Sequence, residues 1–248
     1  MTISSGSWVT LAAPGQPDLR CWWSAPTSPA APRGAVLVLP EVFGVNGWLR
    51  SVADRLAAAG YAALVMPLFA RTAPGLELGY DPASLAEGRL HRDQVSAEGC
   101  LADARRAIAW LQQQPGLEQR PVACLGFCFG GHLALLVATL PQVALTCACY
   151  GARVSSFRPG GGPPTLQVLP RVGGDLLCFC GDQDPLMPPE ELQAIATALA
   201  ASGSARRREL VVFPGAGHGF LCDQRADFAP AAAARAWSLL LEALDQAF

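Results

Sequence analysis

A chain of 248 residues, 51% hydrophobic and only 15% charged, has enough apolar side chain for one large α/β domain with an extensively buried sheet, or two small ones. The formal net charge is −2, and the only basic cluster, Arg206-Arg207-Arg208, precedes an expected strand, so a nucleic-acid partner is not expected. No apolar run reaches the roughly 18 residues that span a bilayer, and Met1 to Gly6 lacks the basic and apolar regions of a signal peptide, so the expectation is a soluble, cytoplasmic protein.

Taken in order, Trp8 to Leu11 and Leu19 to Trp23 read as an antiparallel hairpin at a sheet edge, joined by a Pro/Gly turn. Pro26 to Gly34 is a Pro/Ala-rich connector. Ala35-Val36-Leu37-Val38-Leu39 is continuously apolar, as a central parallel strand should be, and Pro40 ends it. A loop from Glu41 to Gly47 leads to a helix capped by Asn46, with Leu49, Val52, Ala53 and Leu56 as its apolar stripe and Gly60 closing it. Ala62 to Met66 is the next strand. Pro67 to Val95 shows no clear period and carries Arg71, Tyr80, Arg89, His91 and Arg92. Loops of that length in compact domains are usually functional, so it is read as a segment lining a substrate pocket. A helix follows from about Ser96 to Gln114.

Val122 to Leu125 is a buried strand and His132 to Ala138 a helix. Between them Gly126-Phe127-Cys128-Phe129-Gly130-Gly131 has the form Gly-x-Cys-x-Gly-Gly, a strand-to-helix turn with a nucleophile at its tip. The flanking glycines allow the close approach that such a bend requires, and the helix N-terminus favours a thiolate at Cys128. Val143 to Tyr150 is another strand, Gly151 to Pro164 a Gly/Pro-rich surface loop, and Leu176 to Cys180 a strand ending at Gly181-Asp182-Gln183-Asp184-Pro185. A helix opens at Pro188-Pro189. Leu210 to Phe213 ends at Pro214-Gly215-Ala216-Gly217-His218-Gly219-Phe220, and an amphipathic helix from about Pro230 completes the chain. No repeat or polar linker divides it, so a single domain over 1–248 is expected.

Nine cysteines are an odd number, and Cys124, Cys147, Cys149, Cys178 and Cys180 lie inside apolar runs, where they read as small core hydrophobes. The spacing of two puts Cys147 with Cys149, and Cys178 with Cys180, on a shared face of a strand. With no Cys-x-x-Cys and no histidine cluster, neither a zinc site nor another metal or cofactor is expected.

Alternating strands and helices imply a mostly parallel central sheet with helices on both faces, whose ligand sits beyond the carboxyl ends of the strands. Four loops collect there, carrying Glu41-Val42, Cys128-Phe129, Asp184 and His218. A thiolate needs a base, and the base needs an orienting carboxylate. In the order nucleophile, acid, histidine the chain offers Cys128, Asp184 and His218, the order of the α/β-hydrolase fold. Asp182 competes for the acid position, but the spacing Gly-x-x-Asp-x-x-x-Pro of Gly181, Asp184 and Pro188 favours Asp184 and leaves Asp182 as a turn former. His132 is expected as a cap or surface residue and His91 as part of the pocket segment. The oxyanion hole should be the backbone N–H groups of Val42 and Phe129. Glu41 is either a strand-end residue with its charge in solvent or a carboxylate facing Cys128 that controls the thiol's ionisation.

Together these stretches resemble the dienelactone hydrolases, cysteine members of the α/β-hydrolase superfamily, over roughly Leu37 to the end. Leu39-Pro40-Glu41-Val42-Phe43-Gly44-Val45-Asn46 is similar to the family's strand and glutamate loop, and Pro67-Leu68-Phe69-Ala70-Arg71 with Ala73-Pro74-Gly75 to the entry into its pocket. Gly126 to Gly131 is similar to its elbow, and Asp184 and Gly217-His218-Gly219-Phe220 complete the triad. The resemblance implies hydrolysis of a small ester or lactone through an acyl-cysteine, with a resting thiol held near the glutamate until substrate displaces that carboxylate and makes it take the thiol proton. Carried over, Glu41 would ionise Cys128 only when substrate is present. Dienelactone-specific members hold the substrate carboxylate with two arginines, one four residues after the histidine. That position here is Cys222, which leaves Arg225, with Arg71 or Arg89, as the candidate anion binders. The competing expectations are a catalytically silent hydrolase-fold protein that binds a small ligand or partner, and a cysteine peptidase or thioesterase on the same scaffold.

Overall fold

The computed structural model describes residues 6–27 and 31–248. The reading of Met1 to Ser5 and the middle of the Pro26 to Gly34 connector lie outside the described residues. Among the described residues the strands are β1 (Ser7–Leu11), β2 (Leu19–Ser24), β3 (Ala35–Leu39), β4 (Ala62–Val65), β5 (Val122–Phe127), β6 (Val143–Cys149), β7 (Asp175–Gly181) and β8 (Arg208–Phe213). They form one sheet in the order β1-β2-β4-β3-β5-β6-β7-β8. The first two make the expected edge hairpin, Leu11 opposite Leu19, and β2 meets β4 antiparallel. From β4 to β8 all neighbours are parallel.

The continuous apolar strands are explained by burial on both faces. In β3, Ala35, Leu37 and Leu39 enter one core, and Val36 and Val38 enter the other. Helices α3 (Ala97–Leu111), α4 (Phe129–Val137) and α5 (Pro189–Ala201) cover the first face, and α1 (Gly47–Ala58) and α6 (Pro230–Ala247) cover the second. The cysteine pairs follow the same period of two: Cys147 and Cys149 face the α1/α6 side, Cys178 and Cys180 the α3/α4/α5 side. All four are buried free thiols, as small apolar side chains would be.

The helix ends carry their sequence signals. The Asn46 carboxamide oxygen accepts from the Leu49 N–H at 3.2 Å, and the Ser96 hydroxyl accepts from the Gly99 N–H at 3.1 Å. Gly60 follows α1 with φ +94°, a backbone state that suits glycine. Two expectations are corrected. Pro67 to Val95 is not structureless, since α2 (Pro82–Arg92) runs through it, capped by Asp81 and opened by Pro82. Gly88 alone of that helix is buried, so it has no apolar stripe from which a period could be read. Helix α4 begins at Phe129 rather than His132, which places Cys128 directly at its N-terminus. The loop after β6 ends in a short 3-10 helix, Thr165–Arg171.

Candidate active site

The bend at Cys128 is set by backbone contacts that no Cβ would permit. A side chain at Gly130 would collide with the carbonyls of Leu39 and Pro40, and one at Gly126 with the carbonyl of Gly130. Helix α4 is thereby drawn against the ends of β3 and β5, and Cys128 between them takes φ +52°, ψ −116°. That conformation is uncommon for a residue with a side chain, and it is held by the Cys128 N–H donating to the Cys149 carbonyl at 3.0 Å. Of the nine cysteines, Cys128 alone is partly exposed; the others are buried.

His218, in the turn after β8, brings its Nε2 to 3.1 Å from the Cys128 Sγ, and its Nδ1 lies 2.7 Å from the Asp184 Oδ2. Asp184 is held in turn by the Leu186 N–H, which donates to its Oδ1 at 2.8 Å. Both His218 and Asp184 are buried. Burial alone would discharge the imidazole, but the adjoining Cys128 sulfur and the Asp184 carboxylate outweigh it and push His218 up to about 10. The arrangement can therefore carry a thiolate beside an imidazolium and pass a proton between sulfur and nitrogen. The Asp182 carboxylate accepts from the Gly215 N–H at 2.7 Å and closes the turn beneath His218, separating the two aspartates by role.

Glu41 is fully buried, which excludes a strand-end carboxylate with its charge in solvent. Its Oε1 accepts from Arg225 Nη1 at 2.8 Å, and its Oε2 has no hydrogen-bond partner. Burial pushes the Glu41 carboxyl up, and Arg225 and then His218 pull it back. Among the described residues no hydrogen bond joins Glu41 to Cys128, so the link between them runs through Arg225, whose charge is favoured by Glu41 and by Cys128 against the cost of its burial.

A cavity of about 260 Å³ opens over the sulfur, with Phe43, Leu85, Phe157 and Leu186 as apolar walls. Val42 and Phe129 line it, as does His218. Arg89 and Arg225 reach it, but Arg71 does not. Arg71 pairs with Asp103 of α3 (Nη2 to Oδ1 3.1 Å) and borders a separate small void beside Leu68 and Cys100. Cys222, where dienelactone-specific members have an arginine, is fully buried and its thiol is pushed up to about 12 by burial, so it offers no cation. His132 is neither a cap nor a surface residue. It is buried in the cavity wall, with Nδ1 2.8 Å from the Ala152 carbonyl and Nε2 2.8 Å from the Thr165 hydroxyl.

Several residues at the site have no local signal in the sequence. Tyr150, at φ +41°, sets its ring edge-on to His218 at 5.2 Å. Arg153 and Phe157 line the cavity from the loop after β6, whereas Arg92 lines it from α2, inside the segment read from the sequence as a pocket wall. Only a long loop following the strand next to the elbow could have pointed to Arg153 and Phe157. Among the described residues, no group of three or more His, Cys, Asp or Glu side chains is placed to hold a metal ion.

A mostly parallel sheet, a cysteine at the strand–helix elbow and a histidine and an acid on the loops after the last two strands define an α/β-hydrolase-fold protein. Residues 20–248 match the "Dienelactone hydrolase family", and the chain belongs to that family. A protein of Synechocystis sp. named "Putative carboxymethylenebutenolidase" is 38% identical over 202 residues, covering 82% of this chain and 81% of the relative. The "Carboxymethylenebutenolidase" of Pseudomonas putida is 30% identical over 217 residues, 84% of each chain. Among solved structures, a "Putative Dienelactone Hydrolase" from Klebsiella pneumoniae superposes with a TM-score of 0.85 at 26% identity, covering 97% of this chain and 98% of the other.

Proposed function

We propose that the protein is a single-domain cytoplasmic enzyme that hydrolyses a small carboxylic ester or lactone through an acyl-cysteine on Cys128. The observation that carries this reading is the unbroken path from Cys128 Sγ to His218 Nε2, and from His218 Nδ1 to Asp184 Oδ2, at the floor of one cavity. Family membership and the relative named a carboxymethylenebutenolidase support the ester or lactone as substrate class. Nine free thiols suit a reducing compartment.

In this mechanism the thiolate attacks the carbonyl carbon, and the oxyanion is received by the N–H groups of Val42 and Phe129. The imidazolium of His218 gives its proton to the departing alkoxide, leaving a thioester on Cys128. Water then attacks that thioester while His218 takes a proton from it, and collapse of the second oxyanion expels the thiolate. With a lactone, the departing oxygen stays attached to the acyl group and leaves with it as a hydroxy acid. Glu41 modulates the thiol: a substrate carboxylate that engages Arg225 competes for the partner of Glu41, and a buried carboxylate that loses its counter-ion becomes a stronger proton acceptor. The unpartnered Oε2 is the atom free to hold the thiol proton in that state; the same single proton then passes to His218, which delivers it to the alkoxide, so the step balances.

Turnover of p-nitrophenyl acetate, abolished by iodoacetamide and by Cys128→Ala, is the expected result. Cys128→Ser should be much slower than the parent, because a hydroxyl is not ionised by these neighbours. Binding of esters without turnover would instead favour a silent hydrolase-fold protein, and faster cleavage of thioesters or peptides would move the substrate class. Glu41→Gln should slow hydrolysis of a good carboxylate-bearing ester; an unchanged rate would remove Glu41 from the mechanism.

A further inference from the structure

We propose that Arg153 is a specificity-determining residue, a second anion-binding arm across the cavity from Arg89 and Arg225 that selects esters or lactones bearing two carboxylates. The inference rests on the reading of Cys128 as the acylated group, since it concerns what is held around that atom.

The sheet order places Cys128, at the end of β5, between β3 and β6. On the β3 side lie Arg225, bonded to Glu41 at the end of that strand, and Arg89, on a helix whose Gly88 packs against the Val42 carbonyl. Arg153 lies on the other side, in the loop that leaves β6, and lines the same cavity. Among the described residues no aspartate or glutamate lines that cavity. The arginines also differ in how their charges are used. Arg225 is bonded to Glu41 and Asp227, and Arg158, in the same loop as Arg153, is paired with Glu98 at 3.6 Å. Arg89 and Arg153, one on each side of the sulfur, make no ion pair among the described residues, and the Arg153 guanidinium lies over the Phe157 ring at 4.8 Å.

The loop that presents Arg153 is anchored as a binding wall rather than left loose. The Arg153 carbonyl accepts from the Phe157 N–H at 2.9 Å, and the Ser155 N–H donates to the buried Glu191 carboxylate at 3.1 Å. His132 holds the Ala152 carbonyl from the elbow helix, and its ring meets Phe157 at 5.9 Å. An arginine stacked on an aromatic ring in a fixed loop loses little freedom when it binds, and its planar fork matches a carboxylate. A first carboxylate engages Arg89 or Arg225 on the β3 side; Arg153, on the far side of the sulfur, rewards a second.

Calorimetry on the Cys128→Ala protein tests this without turnover, using butyrate and glutarate as ligands with one and two carboxylates. Glutarate should bind more tightly than butyrate. Arg153→Gln should weaken glutarate about tenfold and butyrate less than twofold, with Arg153→Lys recovering part of the loss. Glutarate binding no tighter than butyrate, or an equal or absent loss for both ligands in Arg153→Gln, would overturn the proposal. In the catalytic form, the kcat/KM ratio between the p-nitrophenyl monoesters of tricarballylate and glutarate should fall about tenfold in Arg153→Gln, and an unchanged ratio would likewise overturn it. If the parent hydrolyses neither ester, the hydrolase reading fails while the calorimetry still decides the role of Arg153.

Discussion

His218 and His132 line one cavity, are both buried, and both have a partner at each ring nitrogen, yet they are held in opposite charge states. His218 lies between a carboxylate and a sulfur and is raised to about 10. His132 lies between a carbonyl and a hydroxyl and is lowered by burial to about 4. The Ala152 carbonyl can only accept, so Nδ1 of His132 carries the proton and Nε2 accepts from the Thr165 hydroxyl. The difference lies in the neighbours and not in the depth: anionic groups hold a proton that neutral dipoles do not. One imidazole is placed to move protons, the other to tie the elbow helix to the loop carrying Ala152 and Arg153.

The largest test of this division is activity. Asp184→Asn should lower kcat/KM for p-nitrophenyl acetate by about 10³-fold or more, since it leaves the imidazole without its orienting anion. His132→Gln, which touches no reacting atom, should lower it no more than about tenfold. Comparable losses would mean that His132 takes part in the chemistry.

The pH dependence of stability should separate the two next, and with opposite signs. The folded pKa of His132 lies below its ordinary 6.5, so the unfolded chain binds the extra proton; stability present above about 6.5 is lost as pH falls toward 4. The folded pKa of His218 lies above 6.5, so its contribution is fully present below that value and is lost as pH rises through about 10. Urea unfolding of His132→Gln should flatten the acid limb, by about 3 kcal/mol at most, while His218→Ala should flatten only the alkaline limb. The smallest expected effect is on thiol reactivity. At one fixed pH, iodoacetamide should modify Cys128 more slowly in His218→Ala than in the parent, and at about the parental rate in His132→Gln, because His218 Nε2 lies 3.1 Å from the sulfur and His132 does not touch it.

The groups proposed to react were legible in the sequence because each closes a strand. The Gly-x-Cys-x-Gly-Gly bend, Asp184 before Pro188 and His218 between glycines are local patterns, and a parallel sheet brings its strand ends together whatever the loops do. The supporting contacts were not legible, because their partners are far apart in the chain. Arg225 meets Glu41 across 184 residues, and His132 meets Thr165 across 33, with nothing local to mark either pair. Arg71 was misplaced for the same reason: its partner Asp103 sits on α3, turned away from the cavity. Helix α2 escaped a reading by apolar period because it buries almost nothing, although Asp81-Pro82 is a helix-start signal in its own right.

That shallow seating has a consequence of its own. Helix α2 contributes Leu85, Arg89 and Arg92 to the cavity but rests on the body of the protein through Gly88, at a point where a Cβ would strike the Val42 carbonyl. One wall of the substrate cavity is thus carried on a piece of chain separate from the reacting groups. The outward positions of 82–92, leaving Pro82, Leu85, Gly88 and His91 in place, are open to exchange, so new selectivities can be explored by reshuffling one surface segment while the elbow keeps its shape.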